Sequence, residues 1–222
     1  MSAAANASGY TPPLGYAALT PLYDLAVALT TRENVWRRAL VGEIMSGERR
    51  SIIDVGSGTG SLAALLHEAA PESRYLGVDP DVEAVRRARE KAARIGAGAE
   101  FREGYFPEGA GDEGADVIVS SLVLHQVSVA EKKRIIDAAY LRLNPGGRLL
   151  IADYGLQDAP LARLLFRVSV QALDGREDTQ PNADGVLPEL MREAGFDDVE
   201  QRLRLPTPTG LIYIHVARKP AS

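Results

Sequence analysis

The stretch Ser51–Leu66, SIIDVGSGTGSLAALL, sets an apolar run and an acid, Asp54, directly ahead of three glycines in five positions, Gly56, Gly58 and Gly60. Glycine adopts positive φ without a side-chain clash and lets a neighbour come close to the backbone. Behind it, Leu62, Leu65, Leu66 and Ala69 share one face at helical spacing. An apolar strand, a glycine turn and an amphipathic helix make the opening unit of an open α/β sheet, whose ligands sit at the carboxyl ends of the strands.

Outward from this unit the alternation repeats. SRYLGVD is a second strand, and a helix from Asp81 follows with Val82, Val85, Ala88, Ala92 and Ile95. AEFREG is a weaker third strand and ADVIVSSL a fourth, backed by Ile135, Ile136, Ala139, Tyr140 and Leu143. Asn144-Pro145-Gly146-Gly147 reads as a turn into a fifth strand, GRLLIADYG. After a short helix near Val186–Ala194, VEQRLRLPT and GLIYIHVARK stand too close for a helical crossover, which implies an antiparallel hairpin. The expected fold is therefore α/β: a doubly wound, Rossmann-like seven-stranded sheet of five parallel strands plus a C-terminal antiparallel hairpin. Two helices are expected between about Leu22 and Met45, the second burying Trp36, Leu40 and Ile44. Residues 1–48 then form a helical extension or cap, and 49–222 the ligand-binding domain.

Composition narrows the function. The chain has 222 residues, 45% hydrophobic and 25% charged, with a net charge of −5, which disfavours a nucleic-acid partner. It has no cysteine and three histidines, so thiol nucleophiles, thiolate metal sites and disulfides drop out and a dedicated zinc site is disfavoured. No apolar run is long enough to span a bilayer. The opening MSAAANASGYTPP has no basic region followed by an apolar stretch, so the expectation is a cytoplasmic chain.

The glycine loop excludes two ligand classes. A phosphate-binding loop needs a lysine after its last glycine, but Ser61 follows Gly60. A dinucleotide fingerprint needs its third glycine one residue later, and Asp54 would repel a pyrophosphate while favouring an ammonium or sulfonium group. Asp79, 19 residues past Gly60, stands where an adenosine ribose would donate both hydroxyls. A cationic adenosyl amino acid, S-adenosylmethionine, satisfies all three features. An NAD-dependent oxidoreductase and a non-catalytic cofactor-binding protein stay as alternatives.

IIDVGSGTG, YLGVDPD, ADVIVSSLVLHQV and LNPGGRLLIADYG, in this order, resemble the motifs of class I S-adenosylmethionine-dependent methyltransferases. The opening LTPLYDLAVALTTRENVWRR is loosely similar to that of the quinone-biosynthesis C-methyltransferases. The resemblance implies that Asp54 sits near the methionine ammonium and that Gly56, Ser57, Gly58, Thr59 and Gly60 pass under the methionine. It implies ribose binding by Asp79 and an adenine contact near Pro80. Where the family has an acid for adenine, this chain has Gly104, Tyr105 and Phe106, so the expected adenine contacts are backbone and those rings. Ser120 completes the expected cofactor shell, and Tyr23 and Arg38, from the N-terminal helices, read either as folding over the cofactor or as ordinary packing and a solvated charge.

The loop Ser120–His125 lacks the Asn/Asp-Pro-Pro-aromatic run of nucleobase amino-methylating enzymes, the acids of aminopropyltransferases and the carboxylate cluster of catechol methyltransferases. What survives is metal-free, in-line transfer to a carbon or oxygen of a small acceptor, aromatic or quinone-like. His125 is either the base or a loop cap, and Asp153 and Tyr154 are either substrate contacts or a strand-end turn. His67 reads as a surface residue and His215 as a structural one. In Asp158–Gly185 the stripe Leu161, Leu164, Leu165 and Val168 reads as a core-facing helix, a substrate lid or a face of a homodimer.

Overall fold

The computed structural model describes residues 31–47 and 51–221. Tyr23 and the first expected N-terminal helix lie outside them. Five strands, β1 (Ser51–Val55), β2 (Arg74–Asp79), β3 (Glu100–Glu103), β4 (Ala115–Ser121) and β5 (Leu143–Tyr154), run parallel. The hairpin β6 (Asp197–Thr207) and β7 (Gly210–Arg218) adds to β5 antiparallel, in the order β3-β2-β1-β4-β5-β7-β6. The helices are α1 (Glu33–Met45), α2 (Ser61–Ala69), α3 (Val82–Ile95), α4 (Val129–Arg142), α5 (Pro160–Val168), α6 (Val170–Asp174), α7 (Arg176–Ala183) and α8 (Leu187–Glu193).

Strand alternation divides the core. Ile52, Val117 and Val119 face one layer with Trp36 and Leu40 of α1, Leu62 and Leu66 of α2, and Phe166 of α5. Ile53, Val55 and Ile118 face the other with Ile135 and Ile136 of α4 and Leu187 and Met191 of α8. All five residues of β1 are buried, as a central parallel strand covered on both faces requires. Helix ends follow their sequence signals. Asp81 caps α3 through Glu83 N and Ala84 N, and Gly96 closes it at φ 71°. Arg148 on β5 donates to the carbonyls of Glu43 and Ile44, a cation on the negative end of α1 that seals this helix to the sheet.

Two expectations change. Asn144–Gly147 belongs to β5 rather than to a separate turn: pairing jumps from Ala115 opposite Leu143 to Val117 opposite Arg148, so the extra residues bulge. In α5 the core face is Ala162 and Phe166, whereas Leu161, Leu164 and Val168 are 66%, 54% and 62% exposed. The apolar stripe is thus the outer face of α5, because the hairpin seats the helix by its other side: a Cβ on Gly210 would touch Phe166.

Candidate active site

The order of the strands reverses between β1 and β4, and the glycine loop follows β1 at that point. Gly56 has φ +72°, and a Cβ there would meet Val123 Cγ2 at 2.2 Å, so this position must be glycine for the loops after β1 and β4 to pack. Gly58 has φ +53° with nothing within 4 Å of its would-be Cβ, which leaves open space beside the loop. Gly56 N and Ser57 N both donate to Val78 O, anchoring the loop to β2.

Asp54 is 1% exposed. Its Oδ2 accepts a short hydrogen bond from Tyr75 OH, while Oδ1 has no partner. Burial raises its pKa to about 6 against the opposing pull of Tyr75 and Arg37. Ser57 Oγ is the second buried polar atom of the loop without a partner. An unpaired buried acceptor costs about 1–3 kcal/mol, so Oδ1 is a vacancy for a donor. Asp79 at the end of β2 accepts from Gly58 N (2.8 Å) and Asp81 N (2.9 Å), one bond to each oxygen, which leaves each oxygen further acceptor capacity. Burial raises its pKa too, against those two bonds.

Beside β4 and β5 the chemistry is different. His125 is 3% exposed, with Nδ1 2.6 Å from Asp153 Oδ1 and Nε2 3.6 Å from Asp174 Oδ2. Burial alone would lower its pKa, but the two carboxylates outweigh burial and hold it up at about 9. The two carboxylates thus favour the charged ring. Asp153, 1% exposed, also accepts from the backbone N–H groups of Leu124, His125 and Tyr154. Lys132 of α4 is buried and donates to Val127 O and Asp178 O; burial lowers its pKa to about 8.

A family model described as "Methyltransferase domain" matches residues 53–149, which span the loop, Asp79 and β4. The demethylmenaquinone methyltransferase of Thermus thermophilus is 28% identical over 70% of this chain and 71% of its own. Residues 53–149 of the chain thus carry a methyltransferase domain. The arsenite methyltransferase of Halobacterium salinarum is 34% identical over 68% of this chain, but the match spans 38% of that protein's length. Among solved structures, the S-adenosylmethionine-dependent methyltransferase SibL superposes with a TM-score of 0.73 at 22% identity, covering 92% of this chain and 60% of that one, and so shares the fold.

A methyltransferase's cofactor fits this loop: the unpaired Asp54 Oδ1 suits an ammonium, the space beside Gly58 admits a ligand against backbone, and Asp79 retains acceptor capacity for hydroxyls. Thr59 and Gly60 complete the turn, with Gly60 N donating to Ser57 O. Pro80 is half-buried just beyond Asp79. Gly104 N donates to Asp79 O, so the loop after β3 reaches the same edge. Several expected contacts move. Phe106 is buried among Val55, Leu76 and Val78 and is a core residue; Tyr105, 43% exposed, is the ring at the surface. Ser120 Oγ is spent on Val55 O, tying β4 to β1. Arg38 is exposed, and its neighbour Arg37 is the one whose charge reaches Asp54.

On the acceptor side, His125, in the loop after β4, is held between two carboxylates, Asp153 and Asp174. Asp153 is a buried hub for the loop after β4 rather than a substrate contact. Tyr154 is a core residue with its hydroxyl on Thr209 and its ring edge-on to His125. His215 is buried against Tyr213, and burial drops its pKa to about 4. The contributions of Tyr75, Arg37, Asp174 and Lys132 carry no motif. Only the burial of Asp54 could have prompted a search for its partners.

Proposed function

We propose that this chain transfers a methyl group from S-adenosylmethionine to a carbon or oxygen of a small aromatic or quinone-like acceptor. The observation that carries it is the unpaired, buried Asp54 Oδ1 beside the glycine loop at the switch point of the sheet. Bound there, the cofactor supplies a methyl group made electrophilic by its sulfonium. Asp54 and the loop hold the amino-acid end, and Asp79 the ribose. Val123 closes the floor of the site against Gly56.

His125 takes no proton in this scheme, because Asp153 and Asp174 keep it charged. Its part is to fix the loop after β4, and the acceptor nucleophile enters ionised or as an activated carbon. The chain's task is then alignment, which is where most of the rate of an in-line displacement arises. The acceptor class is supported by the Thermus quinone enzyme and by the tetracenomycin polyketide 8-O-methyl transferase of Streptomyces glaucescens, 28% identical over 82% of this chain and 53% of that one. No helix among the described residues is long and apolar enough to cross a membrane, and we place the reaction in the cytoplasm. Residues 1–48 serve as a cap on the cofactor domain 49–222, and a homodimer belongs to the same proposal.

The test is transfer of labelled methyl from S-adenosylmethionine to a panel of quinols, phenols and polyketide phenols. A labelled product that disappears in Asp54→Asn is the expected result. Hydride transfer from NADH with no labelled product would overturn the proposal.

A further inference from the structure

Tyr75 and Asp54 share a face of two neighbouring parallel strands: Tyr75 pairs with Ile52 and Gly77 with Asp54, so the acid stands two residues nearer the carboxyl end than the ring. Opposite Asp54 there is no side chain, and a Cβ on Gly77 would meet Phe101 Cδ1 at 2.6 Å and Ser57 Oγ at 2.7 Å. Diagonally past this gap the Tyr75 hydroxyl donates to Asp54 Oδ2. The ring is itself immobilised: it is buried in one core layer with Trp36 and Leu62, and it packs on Phe101 with centroids 5.8 Å apart. Among the described residues no other group donates a hydrogen bond to the Asp54 carboxylate, and Oδ1 has no partner. Core packing therefore fixes the phenol, and the phenol decides which oxygen of the acid is spent and which is left.

We propose that Tyr75 is a positioning residue for cofactor binding, its hydroxyl holding Asp54 by Oδ2 so that Oδ1 is presented to the ligand. This rests on the cofactor assignment above and goes beyond it, because the orientation of the acid is given to a residue that touches no ligand. A hydrogen bond to the charged form favours that form, so the phenol also opposes the burial that raises the acid. Of the other charges that act on Asp54, Arg37 pulls with Tyr75 and Asp79 against it, and removing the hydroxyl leaves both in place. Burial and the adjacent acid raise the pKa of Tyr75 itself, so it remains a donor across the neutral range. Without this hydroxyl the carboxylate loses its alignment and takes up a proton at higher pH. A ligand that lacks the amino acid registers neither effect.

The experiment is calorimetric titration of the full chain and of Tyr75→Phe, from about pH 5 to 8.5, with S-adenosylhomocysteine and with 5′-methylthioadenosine, which lacks the amino-acid group. In the parent, S-adenosylhomocysteine affinity should rise up to about pH 6 and then level off. In Tyr75→Phe, which keeps the ring against Phe101, the rise should move up by about 0.5–1 pH unit, the worth of one hydrogen bond. A loss of about 2- to 10-fold should persist at the top of the range, where the acid is ionised in both proteins and alignment alone differs. Methylthioadenosine affinity should stay within about twofold of the parent throughout. Asp54→Asn combined with Tyr75→Phe should bind no more weakly than Asp54→Asn alone, since the two act as one unit. If Tyr75→Phe does not fold, the parent chain produced with 3-fluorotyrosine, a more acidic phenol and stronger donor, should move the rise the other way, to lower pH. An unmoved pH dependence in the substituted or fluorinated chain would overturn the proposal, as would an equal loss for both ligands, which marks a packing role. A parent that binds S-adenosylhomocysteine with no rise near pH 6 would overturn this inference alone; a parent that binds neither ligand would overturn the cofactor assignment as well.

Discussion

At the scale of the residue, the account turns on carboxylates buried in different company. Asp54 has one hydroxyl partner and one bare oxygen; Asp153 has its histidine and three backbone donors. The first is built to receive something and the second is already satisfied. Because Asp54 titrates near 6 in the free protein and must be ionised to hold an ammonium, S-adenosylhomocysteine affinity should rise with pH up to about 6 and level off above it. Asp54→Asn should abolish that slope and weaken binding at pH 7.5 by about 1.5–3 kcal/mol; an unaltered slope in calorimetry would count against the assignment. Asp79→Asn tests the other half of the site. It should weaken S-adenosylhomocysteine and methylthioadenosine alike by a similar amount, measured in the same titrations. The sequence made these two acids legible because their positions follow from local strand and turn signals. It concealed Tyr75 because its hydroxyl meets Asp54 only through tertiary packing.

At the scale of the element, Asp158–Gly185 is held down by polar contacts more than by its apolar stripe. Asp174 faces His125, Asp178 O accepts from Lys132, Asn182 donates to Tyr154 O, and Ala183 O accepts from Gln157 N. Lys132→Met should strand the carbonyls of Val127 and Asp178 and cost about 1–3 kcal/mol, roughly 2–4 °C of Tm per kcal/mol for a chain of this size. Proteolysis should then begin within 158–185; an unchanged midpoint in thermal unfolding would refute the tether. By contrast, Leu164→Asp on the outer face of α5 should shift stability by no more than about 0.5 kcal/mol, whereas a core position would lose several times that. Helical periodicity located this stripe correctly but could not say which way it faces, since a helix with two apolar sides, Ala162/Phe166 and Leu161/Leu164/Val168, offers the sheet a choice.

At the scale of the whole molecule, the five parallel strands and the terminal antiparallel hairpin were readable from alternation and loop length. The chemistry of the ionisable core was not, because it depends on which charges the fold brings together. That chemistry predicts how stability responds to pH. His125, raised to about 9 from an ordinary 6.5, stabilises the fold fully below 6.5, and this contribution is lost as pH rises toward 9. His215, held down at about 4, and Asp54, raised to about 6, act below that window with opposite signs. Lys132, at about 8, adds stability only above pH 8. Between pH 6.5 and 8, Tm should therefore fall, by an amount equivalent to about 1–2 kcal/mol, and His125→Gln should flatten the curve. A Tm that rises across this interval would show that His125 is neutral and restore it as a base.

The central claim is that the glycine loop binds a cationic adenosyl amino acid and not a dinucleotide. Titration of the full chain with S-adenosylmethionine, S-adenosylhomocysteine and NAD, followed by heat, tests it most directly. The account predicts one-to-one binding of the first two at roughly micromolar affinity and no heat from NAD. Binding of NAD alone would contradict it.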